Sequence, residues 1–207
     1  MSGPQESDEP TEQIKNLSIR TTDPPSQRES RESPYGFVVY RTDYTSDDRW
    51  KNFMSFLNAQ TRSTLLSSNF SDLLDGLDWH VQEASELNEA DYDQVREHFK
   101  TWLTTNDPQN GHPRFQACVV VDDVCLSAME TALEDGTPED FFDNEGYTHV
   151  YLVSKNEEEG YQAVGVSYLL PYAYNVLAEK GWEGIKQRYE EDVALPGDMD
   201  MTESGDV

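Results

Sequence analysis

The stretch RFQACVVVDDVCLSAM, residues 114–129, holds the side chains best suited to chemistry. Its apolar run ends in Asp122 and Asp123, and two carboxylates at the end of a strand could hold Mg²⁺, because hard cations prefer clustered oxygen ligands. Such a site also needs a third oxygen ligand and, in phosphoryl transfer, usually a lysine at another strand end. The next apolar run ends in Ser154 and Lys155 rather than in an acid. We therefore interpret one of the two aspartates as the N-cap of a following helix, and we predict neither a metal site nor a cofactor.

Histidine and cysteine offer a further route to chemistry. His80 lies on the polar side of a predicted strand and could meet Cys118 or Asp43 in space, as a base beside a nucleophile. The separation of Cys118 and Cys125 fits neither a zinc knuckle nor a CxxC redox pair, so we predict buried, inert thiols. The sequence has no P-loop, GxGxxG, GxSxG or HExxH pattern. With the aspartate pair, His80 completes the set of candidates for an acid/base role.

Three tyrosines around Pro171 are the candidates for binding. Tyr168, Tyr172 and Tyr174 lie in SYLLPYAYNVL, and each carries a hydroxyl that needs a partner when the ring is buried. The alternative is that they belong to the core, as aromatic stripes usually do. If the chain has a groove for a ligand or a protein, we expect it at this stretch.

The charge of the chain restricts its partners. Of its 207 residues, 41 are acidic and 15 are Lys or Arg, which gives a net charge of -26. Such a charge repels nucleic-acid phosphates and anionic lipids, so we predict no nucleic-acid partner and no membrane partner. It would match a basic protein, although it could equally be a solubilising surface.

The expected location is the cytoplasm, with the nucleus as the alternative. No apolar run approaches the roughly 20 residues of a membrane-spanning helix, and the opening MSGPQESDEP has none of the features of a signal peptide. Two cysteines fit a reducing compartment and exclude a scaffold built on disulfides.

Strand-like and helix-like patterns alternate along the centre of the chain. Ser46 and Asn88 are the predicted N-caps of the first two helices, and Gly181 is the predicted end of the last. The segment 182–189 fits either a helix or an edge strand. The patterns predict strands at 35–44, 77–83, 114–121, 148–154 and 163–169, and helices at 46–66, 88–103, 124–133 and 170–181.

This alternation predicts a single α+β domain over residues 34–189. We expect a mixed or antiparallel sheet of about four to six strands, packed with about three to four helices. The half-buried alternation at 77–83 and the lack of glycine-rich turns from strand to helix argue against a doubly wound parallel sheet. Residues 1–33 and 190–207 have too few large apolar side chains to offset the entropy of ordering, so we predict disordered, acidic tails.

Three segments resemble, in order and spacing, a family of uncharacterised proteins from filamentous ascomycete fungi. They are YGFVVYRTDYTSDDRWKNFMSFL, LDWHVQEASELNEADYDQVREHFKTWL and PRFQACVVVDDVCL, and the similarity covers about residues 35–155. The family's features are a GFVVYRT-like opening strand and a Pro-Arg-Phe strand that ends in an acid pair. The chain departs from the family at GWEGIKQRYEED, where the family has a final strand rich in Trp, Tyr and Arg. The resemblance implies a fungal, soluble, intracellular protein and transfers no activity.

Two functional hypotheses follow. The first is a non-enzymatic accessory or binding protein whose partner is another protein, for which a basic one would match the charge. The second is a small metabolic enzyme with an acid/base or metal site near Asp122 and Asp123, for which fungal secondary metabolism is a setting suggested by analogy alone.

Overall fold

The computed structural model describes residues 34–106, 111–187 and 192–196. The tail predicted at 1–33 and the last residues of the tail predicted at 190–207 lie outside these ranges. No helix within the described residues combines the length and the apolar character needed to cross a membrane.

In the described residues the chain forms one mixed sheet with the order β2-β1-β3-β4-β5. Strand β1 lies between β2 and β3 and runs parallel to both, whereas β3 with β4 and β4 with β5 are antiparallel. This sheet and the helices below confirm the predicted α+β domain. The strands are Val38–Arg41 (β1), His80–Gln82 (β2), Ala117–Val121 (β3), His149–Ser154 (β4) and Tyr161–Gly165 (β5).

Local capping chemistry sets where the helices begin. Ser46 accepts a hydrogen bond from the backbone N–H of Arg49 at 3.3 Å, as predicted. The prediction of Asn88 as a cap is wrong, because Asp91 and Gln94 form a capping box with bonds of 2.8 and 3.0 Å in front of the second helix. The helices are Asp47–Ser67 (α1), Tyr92–Asn106 (α2), Asp123–Glu134 (α3) and Tyr174–Lys180 (α4), the last ending at Gly181 with φ 68°.

Apolar side chains fill both faces of the sheet, because neighbouring residues of a strand point to opposite sides. Val39 and Val119 face the larger core, beneath α1, α3 and α4. Val38 and Val120 face a smaller core, beneath α2. The crossover helices α1 and α2 therefore cover opposite faces of the three parallel strands, as in a doubly wound sheet, and the antiparallel hairpin β4–β5 extends only one side.

Three segments differ from the sequence-based expectation. Val81 is 36% exposed, although the alternation at 77–83 puts it on the apolar side of the strand with Leu77 and Trp79, because β2 has only three residues and lies at the edge of the sheet. Residues 182–184 form a 3-10 turn, held by a hydrogen bond of 2.9 Å from Ile185 N to Trp182 O, rather than a longer helix or a strand. The strand expected at 163–169 ends at Gly165, and another 3-10 turn follows at 166–168.

Residues 192–196, assigned from the sequence to the C-terminal tail, pack against the sheet. Ala194 donates to the carbonyl of Ala163 at 2.8 Å and accepts from Gly165 N at 3.1 Å. Its side chain is buried, and Leu195 packs against the larger core. The domain therefore includes a short apolar segment at 193–195, which the sequence alone does not reveal because the residues around it are acidic.

Candidate functional site

The carboxyl ends of β1, β2 and β3 meet at one edge of the sheet. In open α/β sheets, ligands bind at this edge where the strand order reverses, here between β1 and β3. Asp43 follows β1, and Asp122 and Asp123 follow β3. This edge is therefore where a metal or an acid/base site would be built.

Arg49 lies among these carboxylates. Its Nη1 atom lies 3.1 Å from Asp43 Oδ2 and 2.8 Å from Asp123 Oδ1, and its Nε atom lies 2.8 Å from Glu130 Oε1. Burial alone would raise the pKa of Asp43, but hydrogen bonds from Thr45 and the charges of Arg49 and Arg41 hold that pKa below its ordinary value. A guanidinium thus neutralises the acids that could have bound a cation.

Asp122 is the N-cap of α3, as predicted for one member of the aspartate pair. Its Oδ1 accepts from Cys125 N at 3.1 Å, and its Oδ2 accepts from the Tyr92 hydroxyl at 3.3 Å. Within the described ranges, no three His, Cys, Asp or Glu side chains are grouped in a way that could hold a metal ion.

Arg41, the last residue of β1, also lies at this carboxyl edge of the sheet. It is buried, with ion pairs of 2.8 Å to Asp47 and 3.3 Å to Glu83. Its guanidinium also lies over the rings of Tyr44 and Trp50, at 4.4 and 5.5 Å from the ring centroids. The sequence does not reveal this role of Arg41, since an arginine at a strand end resembles any solvated charge.

His80 does not join the aspartates. It begins β2 opposite Val38, whereas Val121 ends β3 opposite Arg41. Standard strand spacings put the backbones of His80 and Val121 roughly 14 Å apart, too far for a shared proton transfer. The His80 ring accepts a hydrogen bond from Trp102 Nε1 at 3.1 Å.

The two cysteines are buried within the fold. Cys118 lies within β3, and burial raises its pKa well above the ordinary range. Burial likewise raises the pKa of Cys125, in the first turn of α3. Neither thiol is suited to act as a nucleophile at neutral pH.

The three candidate tyrosines separate into two places. Tyr168 and Tyr172 pack against Phe142, with ring centroids 5.0 and 6.4 Å from it, and the Tyr172 hydroxyl lies 2.9 Å from Ser68 Oγ. Tyr174 lies elsewhere in the core, with its ring centroid 4.6 Å from that of Tyr35. Two tyrosines of the predicted binding stretch therefore pack against Phe142, which belongs to the loop 135–148. Other residues of this loop line a pocket.

We call this cavity the acidic-loop pocket. It has a volume of about 260 Å³ and lies between α1, the end of α3 and the loop 135–148. Phe141 and Tyr147 line it and remain 55% and 74% exposed. Its other lining residues are Phe56, Gln60, Ala132, Thr137, Asp143, Asn144, Glu145 and Thr148.

A buried polar network fixes the shape of the loop. Asp143 accepts from the backbone N–H groups of Glu145, Gly146 and Thr148 at 3.1, 2.9 and 2.7 Å, and from Thr148 Oγ1 at 3.0 Å. A carboxylate that receives four hydrogen bonds holds the surrounding turn in one conformation.

The loop is also joined to α1 and to the turn after β5. Ser167 Oγ accepts from Asp143 N at 3.0 Å and donates to Gln60 Oε1 at 2.6 Å. Gln60 Nε2 in turn donates to the carbonyls of Glu139 and Phe141 at 2.8 and 2.7 Å. One sequence signal for this pocket is the polar Gln60 on the buried face of α1, and its meaning depends on the tertiary structure.

The surroundings of the pocket are negatively charged. Residues 134–145 include six acids and no Lys or Arg. Glu139, Asp140 and Glu145 are exposed on the same loop as the two aromatic rings, and Glu145 also lines the pocket. The site thus combines preformed concave apolar surface with a negative rim.

No family model, no curated protein and no solved structure matches the chain. The geometry of the chain itself is therefore the basis for its function.

Proposed function

We propose that the chain is a non-enzymatic binding protein, and that its acidic-loop pocket receives a basic segment of another protein. The observation that carries this proposal is the pairing of two exposed aromatic side chains, Phe141 and Tyr147, with a rim of acids on one loop. Exposed aromatic residues are enriched in protein interfaces, and a concave site gives them a place to anchor a partner.

The chemistry of the pocket favours a lysine or arginine side chain as the anchor. An ammonium or guanidinium group can lie over the face of Tyr147 or Phe141, while its aliphatic stem contacts the apolar wall. The acids of residues 134–145 would attract a basic segment over distance and disfavour an acidic one.

The order of the loop supports tight binding. Because Asp143, Ser167 and Gln60 already hold the loop through hydrogen bonds, association would spend little free energy on ordering it. A cavity of about 260 Å³ suits one side chain or a small group rather than a large cofactor.

Binding of labelled peptides tests the proposal. Ten-residue fluorescent peptides that are arginine-rich, lysine-rich, neutral or acidic would be titrated with the full chain at low and at physiological salt. We expect the basic peptides to bind. Tyr147→Ala should raise the Kd for these peptides by about tenfold or more, as loss of an interface anchor does. Asp140→Asn should also raise the Kd for the basic peptides.

Matched variants separate a specific site from general attraction. Leu66→Ala removes another exposed apolar side chain, and Glu158→Gln removes another exposed acid, both outside the pocket lining. If basic peptides bind the pocket variants as well as they bind these controls, or bind none of the proteins, the proposed function is wrong.

The second candidate function, a small metabolic enzyme, is favoured by one observation. Asp122 and Asp123 do lie at the carboxyl edge of parallel strands, where catalytic sites of α/β sheets occur. Turnover of a small metabolite that Asp122→Asn abolishes in a folded protein would establish this alternative in place of the binding function.

A further inference from the structure

The buried polar side chains that line the acidic-loop pocket already bond within the protein. They are Gln60, Asp143 and Thr148. Gln60 Oε1 accepts from Ser167, and its amide nitrogen donates to two backbone carbonyls of the loop. Thr148 donates its hydroxyl to Asp143. A ligand that enters the buried part of this pocket therefore meets polar groups that are engaged elsewhere.

Asp143 adds negative charge to the pocket without a free acceptor. Its Oδ1 accepts from Glu145 N and Gly146 N, and its Oδ2 accepts from both the N–H and the hydroxyl of Thr148. Two bonds to each oxygen use the four lone pairs of a carboxylate. All of these donors are neutral, and no Lys, Arg or His in the described ranges forms an ion pair with Asp143. Its charge therefore still attracts a cation to the pocket.

The two exposed aromatic side chains give the pocket a surface for such a cation. Phe141 and Tyr147 both line it, and neither takes part in a ring–ring contact among the described residues. The cation–π contacts in this part of the chain belong to Arg41, at the carboxyl edge of the sheet. The aromatic faces in the pocket are thus available to a cation from outside, and an aromatic face attracts cations through its negative quadrupole.

The hydrogen-bond donors of the cation decide which cation suits this pocket. An ammonium group has three N–H donors and a guanidinium group has five, and in the buried part of the pocket these lose water without gaining a free acceptor. A trimethylammonium group keeps the positive charge, has no N–H, and places methyl groups against apolar and aromatic walls. The cavity of about 260 Å³ is large enough for one such group.

We propose that the acidic-loop pocket selects trimethyllysine on its protein partner over unmodified lysine and arginine. This inference rests on the function proposed above, because it specifies the side chain through which the basic segment is held. The acids of residues 134–145 attract every cation, whereas the aromatic walls and the engaged polar groups distinguish one cation from another.

A series of methylated peptides tests this selectivity. One ten-residue fluorescent basic peptide would be made with zero, one, two or three methyl groups on its central lysine. A fifth peptide would carry a tert-butyl group in place of the trimethylammonium group, with the same shape and no charge. Each would be titrated with the full chain at physiological salt. We expect Kd to fall by about tenfold from zero to three methyl groups, and to be about tenfold higher for the neutral peptide than for the trimethylated one.

The same titrations separate this inference from the proposed function. If the four charged peptides bind with equal Kd, or if methylation raises Kd, the pocket binds basic segments but does not select trimethyllysine. If the neutral peptide binds as tightly as the trimethylated one, apolar burial rather than the cation accounts for binding, and the inference is wrong. If none of the five peptides binds, the function proposed for the pocket is wrong as well.

Tyr147→Leu is the decisive variant, because it keeps an apolar side chain and removes an aromatic face. Tyr147 is 74% exposed, so the substitution should leave the fold intact. The preference for trimethylated over unmodified peptide should fall by at least about threefold in Tyr147→Leu and persist in Tyr147→Phe. Val124→Ala is the matched control, since it shortens an exposed apolar side chain outside the pocket lining. An unchanged preference in Tyr147→Leu would overturn the inference, as would an equal loss in Val124→Ala.

Competition with choline chloride tests whether the cation belongs to a protein. Choline carries a trimethylammonium group but no peptide, so it lacks contacts with the acidic rim. We expect it to displace the trimethylated peptide only at concentrations at least about tenfold above the Kd of that peptide. Displacement below that Kd would show that a free quaternary ammonium compound is the ligand, and the assignment to trimethyllysine would be wrong.

Discussion

Asp122 receives two hydrogen bonds at the junction of β3 and α3, whereas Asp123 is mostly exposed. The backbone of Cys125 and the hydroxyl of Tyr92 both donate to Asp122. The Asp123 side chain is 71% exposed and contacts Arg49 at 2.8 Å. Adjacent acids in the sequence thus make different contributions to the free energy of unfolding.

We expect Asp122→Ala to lower the free energy of unfolding by about 0.5–2 kcal/mol, the usual cost of losing an N-cap. Asp123→Ala should cost less, about 0–1 kcal/mol, because an exposed ion pair contributes little. Urea denaturation of both variants measures the difference. Tyr92→Phe removes the second donor to Asp122 and shows how much of the loss belongs to that bond rather than to the cap.

Divalent cations test the same residues from another direction. We expect Mg²⁺, Mn²⁺ and Ca²⁺ to leave Tm almost unchanged, since Asp122 caps a helix and Arg49 already pairs with Asp43 and Asp123. A bound metal at about 100 times its Kd would stabilise the native state by roughly 2.7 kcal/mol. A saturable rise of that kind, lost when both aspartates after β3 become Asn, would identify a metal site instead of a cap and an ion pair.

The buried carboxylate of Asp43 predicts a pH dependence. Its pKa is lower in the folded chain than in the unfolded chain, because Thr45, Arg49 and Arg41 favour the charged form more than burial opposes it. The contribution of the Asp43 carboxylate to the free energy of unfolding is therefore fully present above the unfolded pKa of about 3.9. It is lost as the pH falls through the lower pKa of the folded chain. We expect Asp43→Asn to be less stable at pH 7 and to lose less stability than wild type below about pH 4. If the free energy of unfolding of wild type and of Asp43→Asn falls by the same amount as the pH is lowered, this role of Asp43 is contradicted.

At the scale of elements, residues 192–196 cover the outer strand of the sheet. Ala194 makes two backbone hydrogen bonds to β5, and the side chains of Val193 and Leu195 approach Gly146 within 3 Å of where a Cβ would lie. An open strand edge would otherwise expose unpaired N–H and C=O groups.

Two truncations measure what this segment contributes. A chain ending at residue 191 should unfold at lower urea concentration than a chain ending at residue 196, because it loses the pairing with β5 and the buried Ala194. The shorter chain should also aggregate more readily through the exposed edge, which light scattering detects. Equal midpoints for the two chains would mean that the segment adds nothing to stability.

Local signals explain which elements were predictable from the sequence. Ser46 and Asp122 are short polar residues directly before a helical period, and such a cap is decided by contacts within three residues. Asn88 has the same signature but ends a 3-10 turn at 85–87, and the real cap is Asp91, three residues later; the local pattern does not distinguish the two. Element types were therefore easier to predict than their ends.

Long-range contacts account for what the sequence did not reveal. The parallel pairing of β1 depends on Val38 meeting His80 and on Arg41 meeting Val121, and the half-buried pattern at 77–83 says nothing about direction. The candidate site has the same limitation. In the sequence, Arg49 resembles a solvated charge in the first turn of a helix, and only the fold places Glu130 of α3 beside it. The role of Gln60 likewise depends on the loop 135–148, whose carbonyl groups accept its hydrogen bonds.

At the scale of the whole molecule, charge is the dominant property. Acids outnumber Lys and Arg by 41 to 15, so the net interaction among the charges of the chain is repulsive. The guanidinium groups of Arg41 and Arg49 relieve this repulsion only at the carboxyl edge of the sheet. Screening by salt should weaken the many repulsions more than the few ion pairs.

We therefore expect the chain to become more stable as ionic strength rises from about 0.01 to 0.15 M, over which the Debye length falls from about 30 to 8 Å. Each kcal/mol gained would raise Tm by about 2–4 °C in a chain of this size. Sodium chloride and potassium chloride should act alike, because screening depends on ionic strength rather than on the cation. A fall in Tm over this range would mean that the ion pairs of Arg41 and Arg49 outweigh the net charge of -26 in setting the stability of the fold.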